Sequence, residues 1–170
     1  MDFSEICEVS ERDDMVRLAK YCAALAGTGE MPNRRDFRAA DVAWMLGRIY
    51  LIDVLDSGTD YCFRLFGIFW EKMYGSDLTG RLLSEIEATG QLTALRADFD
   101  KVVAERRPFF HPGKLVWANQ MAINYERLLV PFSGDDGQVS LIMVALGCDV
   151  SLDDLVYYRG KGGPPRLVLD

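Results

Sequence analysis

Two arginines in segments rich in β-branched and aromatic residues are the side chains best suited to chemistry. Arg64 lies in segment 61–67, and Arg127 follows Tyr125 in segment 123–132. An arginine buried in a sheet needs an anionic partner, because an unpaired buried charge is strongly unfavourable. A guanidinium beside a phenol can also hold a carboxylate through two hydrogen bonds. The arginines therefore either form structural cross-strand pairs or bind the carboxylate of a ligand.

The single histidine, His111, stands between Phe110 and Pro112. Catalysis by a Ser-His-Asp or Cys-His arrangement would have to use it, and no G-x-S-x-G elbow accompanies it. Haem ligation through this imidazole would rest on one isolated residue. We expect no catalytic residue and no haem.

The four cysteines lie far apart in the chain and form no CxxC pair: Cys7, Cys22, Cys62 and Cys148. One histidine is too few to complete a zinc site with them. No metal site is expected.

The charge balance argues against a nucleic acid partner. The chain has 19 Lys+Arg and 26 Asp+Glu, a net charge of -7, which repels a phosphate backbone. No apolar run is long enough to span a bilayer, and no secretion signal is visible, so no membrane partner is expected. These features predict a cytoplasmic protein with free thiols.

The elements that must position the arginines follow from hydrophobic spacing. An amphipathic helix is predicted from a cap at Ser10 to Gly27, and a second one must end before Pro108. Strands are predicted at 48–54, 61–67, 109–117, 123–132 and 139–148, with a helical crossing at 68–84. This order predicts an α+β fold with a five-stranded antiparallel sheet and helices on one face, preceded by an N-terminal amphipathic helix.

Strand alternation predicts which side chains share a face of the sheet. Arg64 should lie on the same face as Cys62 and Phe66, and Tyr125 on the same face as Arg127. Whether either face points toward the helices cannot be read from alternation alone.

The chain is expected to divide into an N-terminal helix and linker (1–30), a folded domain (31–158) and a flexible tail (159–170). The tail is predicted because Gly160-Lys161-Gly162-Gly163-Pro164-Pro165 favours no regular element.

Several motifs occur in a fixed order along residues 14 to 147, and together they resemble a bacterial PAS family that often occurs as a stand-alone protein. They are Pro32-Asn33-Arg34-Arg35-Asp36-Phe37, Ile49-Tyr50-Leu51-Ile52-Asp53, Phe63-Arg64-Leu65-Phe66-Gly67, Gly75-Ser76-Asp77-Leu78-Thr79-Gly80 and Tyr125-Glu126-Arg127-Leu128-Leu129-Val130-Pro131-Phe132. The sequence departs from the family at Ala40 and Gly47, where proline is usual.

The resemblance implies a ligand pocket between the sheet and the helical crossing. Its candidate residues are Trp44, Tyr50, Arg64, Phe66, Trp70, Met73, Tyr74, Trp117, Tyr125 and Arg127. The same aromatic residues could instead form a filled core. The cysteines lack the Asn-Cys-Arg-Phe-Leu-Gln setting of flavin photoreceptors, so no flavin is expected, and the identity of any other cofactor stays open.

The implied function is sensing or signalling through a small ligand or a protein partner, without catalysis, and with the output in a separate protein. A homodimer through the N-terminal helix is expected, because its apolar face must be covered by the sheet or by a second copy. Two alternatives remain: a dimerisation module with a filled core, and a small cone-shaped isomerase or dehydratase using Asp53 or Asp98 as its base.

Overall fold

A computed structural model describes residues 1–88, 92, 94–163 and 165–169. Its helices are α1 (Phe3–Val9), α2 (Asp13–Ala26), α3 (Ile68–Tyr74), α4 (Leu83–Glu87), α5 (Leu95–Glu105) and α6 (Leu152–Gly162). Its strands are β1 (Ile49–Leu55), β2 (Asp60–Phe66), β3 (Phe109–Val116), β4 (Ala122–Ser133), β5 (Val139–Gly147) and β6 (Arg166–Leu169). The five predicted strands are confirmed as β1 to β5.

The strands form one antiparallel sheet in the order β2-β1-β5-β4-β3-β6. Large side chains on the face that meets α3 to α6 form the front core, which includes Tyr50, Trp70, Phe99, Leu129 and Ile142. The opposite face meets α1 and α2 in the rear core, which includes Met15, Leu18, Leu128, Phe132 and Met143. The predicted α+β class with an N-terminal helix is confirmed, and both faces of the sheet are covered.

The end of the chain differs from the prediction that regular structure stops near Tyr158. Helix α6 continues to Gly162, and β6 pairs with β3. A capping box starts this helix: the Asp154 amide donates to Ser151 Oγ at 3.1 Å, and Leu155 is buried beneath it. The cap and the buried leucine stabilise a helix whose last turn contains Gly160 and Gly162, residues that favour no regular element.

The start of the chain also differs from prediction, because Ser10 does not cap α2. It ends α1, and its hydroxyl donates to Glu126 Oε2 at 2.5 Å, while the Glu11 amide donates to Glu126 Oε1 at 2.8 Å. A carboxylate on β4 therefore holds the connection between α1 and α2 against the sheet.

The apolar face of α2 packs on the sheet of its own chain. Met15, Leu18, Ala19 and Cys22 are fully buried in the rear core. Of the two covers that the sequence allowed for this face, the sheet is the one observed, so the apolar spacing of α2 does not by itself require a second copy.

The turn at residues 75–80 has the structural role expected of it. Asp77 Oδ1 accepts from the Thr79 amide at 2.9 Å, and Gly75 and Gly80 have positive φ values of 92° and 82°. The Gly80 amide then donates to the Phe63 carbonyl at 2.6 Å. The turn thereby covers the outer edge of β2.

Candidate functional site

Most of the candidate pocket residues come together on the front face of the sheet. Seven belong to the front core or pack against it: Tyr50, Phe66, Trp70, Met73, Tyr74, Trp117 and Tyr125. Arg127 lies between Tyr125 and Leu129 on the same face of β4 and is only 2% exposed. The predicted pairing of Tyr125 and Arg127 on one face is confirmed.

Two candidates lie elsewhere. Trp44 is 37% exposed, and the Arg17 guanidinium lies 4.2 Å from the centre of its ring. The Arg64 side chain is 55% exposed and forms an ion pair with Asp53 at 3.4 Å. Neither residue contributes to the front core.

A β-bulge explains the position of Arg64. Leu51 pairs with Leu65, but the next residue, Ile52, pairs with Phe63, so Arg64 is an extra residue in β2. The alternation shifts at this point, which allows Phe63 and Phe66 both to face the front core. The prediction that Arg64 and Phe66 share a face is therefore wrong.

Arg127 has two partners inside the fold. Its Nη2 forms an ion pair with Asp98 Oδ2 on α5, where the two side chains are 3% and 20% exposed. Its Nε and Nη2 lie 3.2 and 2.8 Å from His111 Nε2. Asp98 and His111 satisfy the buried guanidinium, which would otherwise be strongly destabilising.

His111 lies directly opposite Arg127 in the register of β3 and β4. Burial lowers the pKa of His111 to about 4, and the neighbouring positive charge of Arg127 contributes to the same shift. The imidazole is therefore neutral near pH 7 and can accept at Nε2. His111 was not paired with Arg127 from the sequence, although both lie in consecutive predicted strands that can be neighbours in the sheet.

Three tyrosines belong to the front core or pack against it near Arg127: Tyr50, Tyr74 and Tyr125. Burial raises the pKa of Tyr50, the charge of Arg127 opposes the shift, and Tyr74, Asp98 and Tyr125 add smaller effects. Burial likewise raises the pKa of Tyr74, with Arg127 again opposing. We define the arginine centre as Arg127, its partners Asp98 and His111, and the front-core tyrosines Tyr50, Tyr74 and Tyr125.

The core is closely packed around Tyr50. The ring centre of Tyr50 lies 4.7 Å from that of Trp70, 5.8 Å from those of Phe63 and Phe66, and 6.5 Å from that of Phe99. These edge-on and tilted contacts are the usual arrangement of aromatic side chains in a core.

One further donor faces the front core. Trp117 is 1% exposed, and its Nε1 has no hydrogen-bond partner within the described part of the chain. A buried donor without an acceptor is unfavourable, so this indole can accommodate an additional acceptor.

The acids proposed for an enzyme do not have the required setting. Asp98 is the partner of Arg127, and Asp53 accepts from Arg34 at 3.1 Å and from Arg64 at 3.4 Å. The isomerase or dehydratase alternative needs a base without a permanent cationic partner in an apolar pocket. Neither carboxylate meets this requirement.

A family model described as a PAS domain matches residues 11–147, which include β1 to β5 and the whole arginine centre. The chain belongs to the PAS domain family. PAS domains are generally sensory and signalling modules rather than catalytic ones. No curated protein matches this PAS domain. Within the described residues, none of its helices is long and apolar enough to cross a membrane.

Three solved structures illustrate the likeness. The PAS domain of Bordetella pertussis BvgS is 16% identical, with 85% of this chain and 95% of that chain covered and a TM-score of 0.44. An RNA-binding light-oxygen-voltage receptor is 17% identical, with 79% and 40% covered and a TM-score of 0.42. A ligand and DNA complex of Vibrio cholera VqmA is 10% identical, with 75% and 58% covered and a TM-score of 0.42. The PAS domain thus spans less than half of the light-oxygen-voltage receptor chain.

Proposed function

We propose that this PAS domain senses a small carboxylate-bearing molecule that binds at the arginine centre. The observation that carries the proposal is the buried guanidinium of Arg127, which lies on the aromatic front face of the sheet with Asp98 as its anionic partner. A ligand carboxylate can replace Asp98 as the anionic partner, because guanidinium binds either carboxylate with the same geometry.

Such an exchange would give the domain a means of signalling. Asp98 lies on α5, whereas Arg127 lies on β4. A ligand that takes over the guanidinium releases the ion pair that joins this helix to the sheet. The domain has no catalytic step in this proposal, and its output lies in another protein in the cytoplasm.

Native mass spectrometry beside the denatured mass, with an absorbance spectrum of the same sample, tests the proposal. A bound molecule that dissociates on denaturation supports it and gives the ligand's mass. The variant Arg127→Gln should lose that mass, whereas Arg64→Gln, which removes an exposed arginine, should retain it. Tyr125→Phe provides a milder change at the same centre if Arg127→Gln folds poorly. Retention of the mass in both Arg127→Gln and Tyr125→Phe would contradict the proposal.

A second function has support from the aromatic packing. The four ring neighbours of Tyr50, which come from β2, α3 and α5, leave little room around it, as expected for a protein-interaction module with a filled core. A native mass without any bound molecule, from freshly purified protein, would favour this function over ligand sensing.

We also propose that the domain works as a homodimer. The sequence predicted this dimer through the N-terminal helix, but α2 buries its apolar face in the rear core. The apolar face of α2 is therefore not available to a second copy.

A further inference from the structure

Large apolar side chains are exposed together at one corner of the domain. Seven such residues are exposed in the described part of the chain, and five are Trp44, Ile68, Leu152, Val156 and Tyr157. Three of these, Trp44, Ile68 and Leu152, line a single surface cavity of about 170 Å³. Trp44, Ile68 and Leu152 therefore form one continuous patch rather than scattered single residues, which would need no explanation.

Helix α6 extends this patch. Leu155 is buried in the front core, while Leu152, Val156 and Tyr157 point outward, with Val156 51% and Tyr157 63% exposed. Val156 also lines a cavity with Lys72, which follows Ile68 by one turn of α3. We call Trp44, Ile68, Leu152, Val156 and Tyr157 the α6 patch.

Charges are separated along α6. Asp153 and Asp154 lie in its first turn, and Arg159 and Lys161 lie in its last turn. This order complements the helix dipole, which is one reason for it. It also makes the helix electrostatically complementary to a copy of itself in the opposite direction, because the acidic end of one helix then meets the basic end of the other.

The charge arrangement of α6 favours self-association at this surface. The chain carries a net charge of -7, so two copies repel each other on average. An antiparallel α6 pair replaces part of that repulsion by two attractive contacts, with exposed apolar side chains between them. Helix α6 combines exposed apolar side chains with charges that are self-complementary across a twofold axis.

We infer that the homodimer proposed above forms through the α6 patch, with the two α6 helices antiparallel across a twofold axis, an inference that rests on that proposal. Val156 and Tyr157 of the two copies then pack against each other at the axis, and Leu152 of each copy faces the last turn of the other copy's α6. Asp153 of one copy lies near Lys161 of the other in this arrangement, and the same contact occurs twice.

Sedimentation equilibrium of the full chain tests the apolar part of this inference. The wild type should form dimers at concentrations up to about 100 µM, and Val156→Glu should raise the dissociation constant by about tenfold or more. Val9→Glu is a matched control, because Val9 is also 51% exposed but lies on α1. A monomeric wild type, or equal effects of the two variants, would overturn the inference.

A charge exchange tests the antiparallel orientation. Asp153→Lys and Lys161→Glu should each weaken the homodimer, because each places like charges opposite one another. An equimolar mixture of the two variants should recover dimers, since both contacts in the mixed dimer again join opposite charges. High salt should reduce the defect of each variant. Failure of the mixture to recover dimers would exclude the antiparallel pair.

Discussion

Arg127 and His111 lie opposite each other on β4 and β3, and the guanidinium approaches His111 Nε2 through both Nε at 3.2 Å and Nη2 at 2.8 Å. The imidazole must be neutral to accept there, because protonation would put two cations in contact inside the fold. His111 is the only histidine of the chain, so its protonation reports on the arginine centre.

Stability should fall as the solution is acidified from about pH 6.5 to about pH 4. Burial and the Arg127 charge lower the pKa of His111 to about 4 in the folded chain, against about 6.5 when unfolded. In this window His111 is protonated in the unfolded chain but mostly neutral in the folded chain. The free energy of unfolding therefore decreases toward low pH. We expect a loss of about 2 kcal/mol, less than the full shift because the ring is partly exposed. Urea unfolding at several pH values measures it.

The variant His111→Gln provides the control for this pH dependence. Its amide oxygen can still accept from Arg127, but it does not titrate, so the slope of stability between pH 4 and 6.5 should become shallower. NMR of the single imidazole should give its pKa directly. A value near 6.5 in the folded protein would contradict the proposed geometry.

Removal of the other partner of Arg127 should be costly. Asp98→Asn leaves a guanidinium that is 3% exposed without its anion, and the expected loss is about 3 kcal/mol in the free energy of unfolding. Asp135→Asn removes an exposed pair with Arg35 and should change stability by less than about 1 kcal/mol. Equal, small effects in chemical denaturation would mean that the buried pair is not formed in solution.

The sequence predicted regular strands well and failed where a long-range feature changed the alternation. Tyr125 and Arg127 could be placed on one face because β4 is regular between them. Arg64 could not, because its bulge depends on how β1 pairs with β2. Asp98 was identified only as a possible base, since its contact with Arg127 requires the position of α5 over β4.

Two local sequence features near the chain end favour opposite structures. The Ser151 to Asp154 capping box marks the start of α6, but the glycines and prolines that follow suggested an irregular tail. In the structure the helix that begins at the capping box and buries Leu155 continues to Gly162. Burial of one helix face is a tertiary property that composition does not reveal.

Two glycines should respond in opposite ways to alanine. A Cβ on Gly67 would lie only 2.5 Å from the Gly47 carbonyl oxygen and closer still to that of Ile49, so Gly67→Ala should destabilise by about 1 to 3 kcal/mol. A Cβ on Gly160 meets no described atom within 4 Å, and α6 should gain about 1 kcal/mol from Gly160→Ala. Thermal unfolding of both variants distinguishes them. A stable Gly67→Ala protein would mean that β1 and α3 are less closely joined than described.

Deletion of residues 1–27 should cause aggregation rather than release a soluble monomer. It removes α1 and α2 and uncovers the rear core, including Leu128, Val130, Phe132 and Met143, which are all fully buried in the intact chain. Each large apolar side chain contributes roughly 1.5 to 3 kcal/mol by burial, so the loss is comparable to the whole stability of a domain.

Deletion of residues 1–9 alone retains α2 on the sheet and should leave a folded, less stable protein. Light scattering and binding of an apolar dye measure both, and a soluble, dye-free protein lacking residues 1–27 would show that α2 is not needed to cover the sheet.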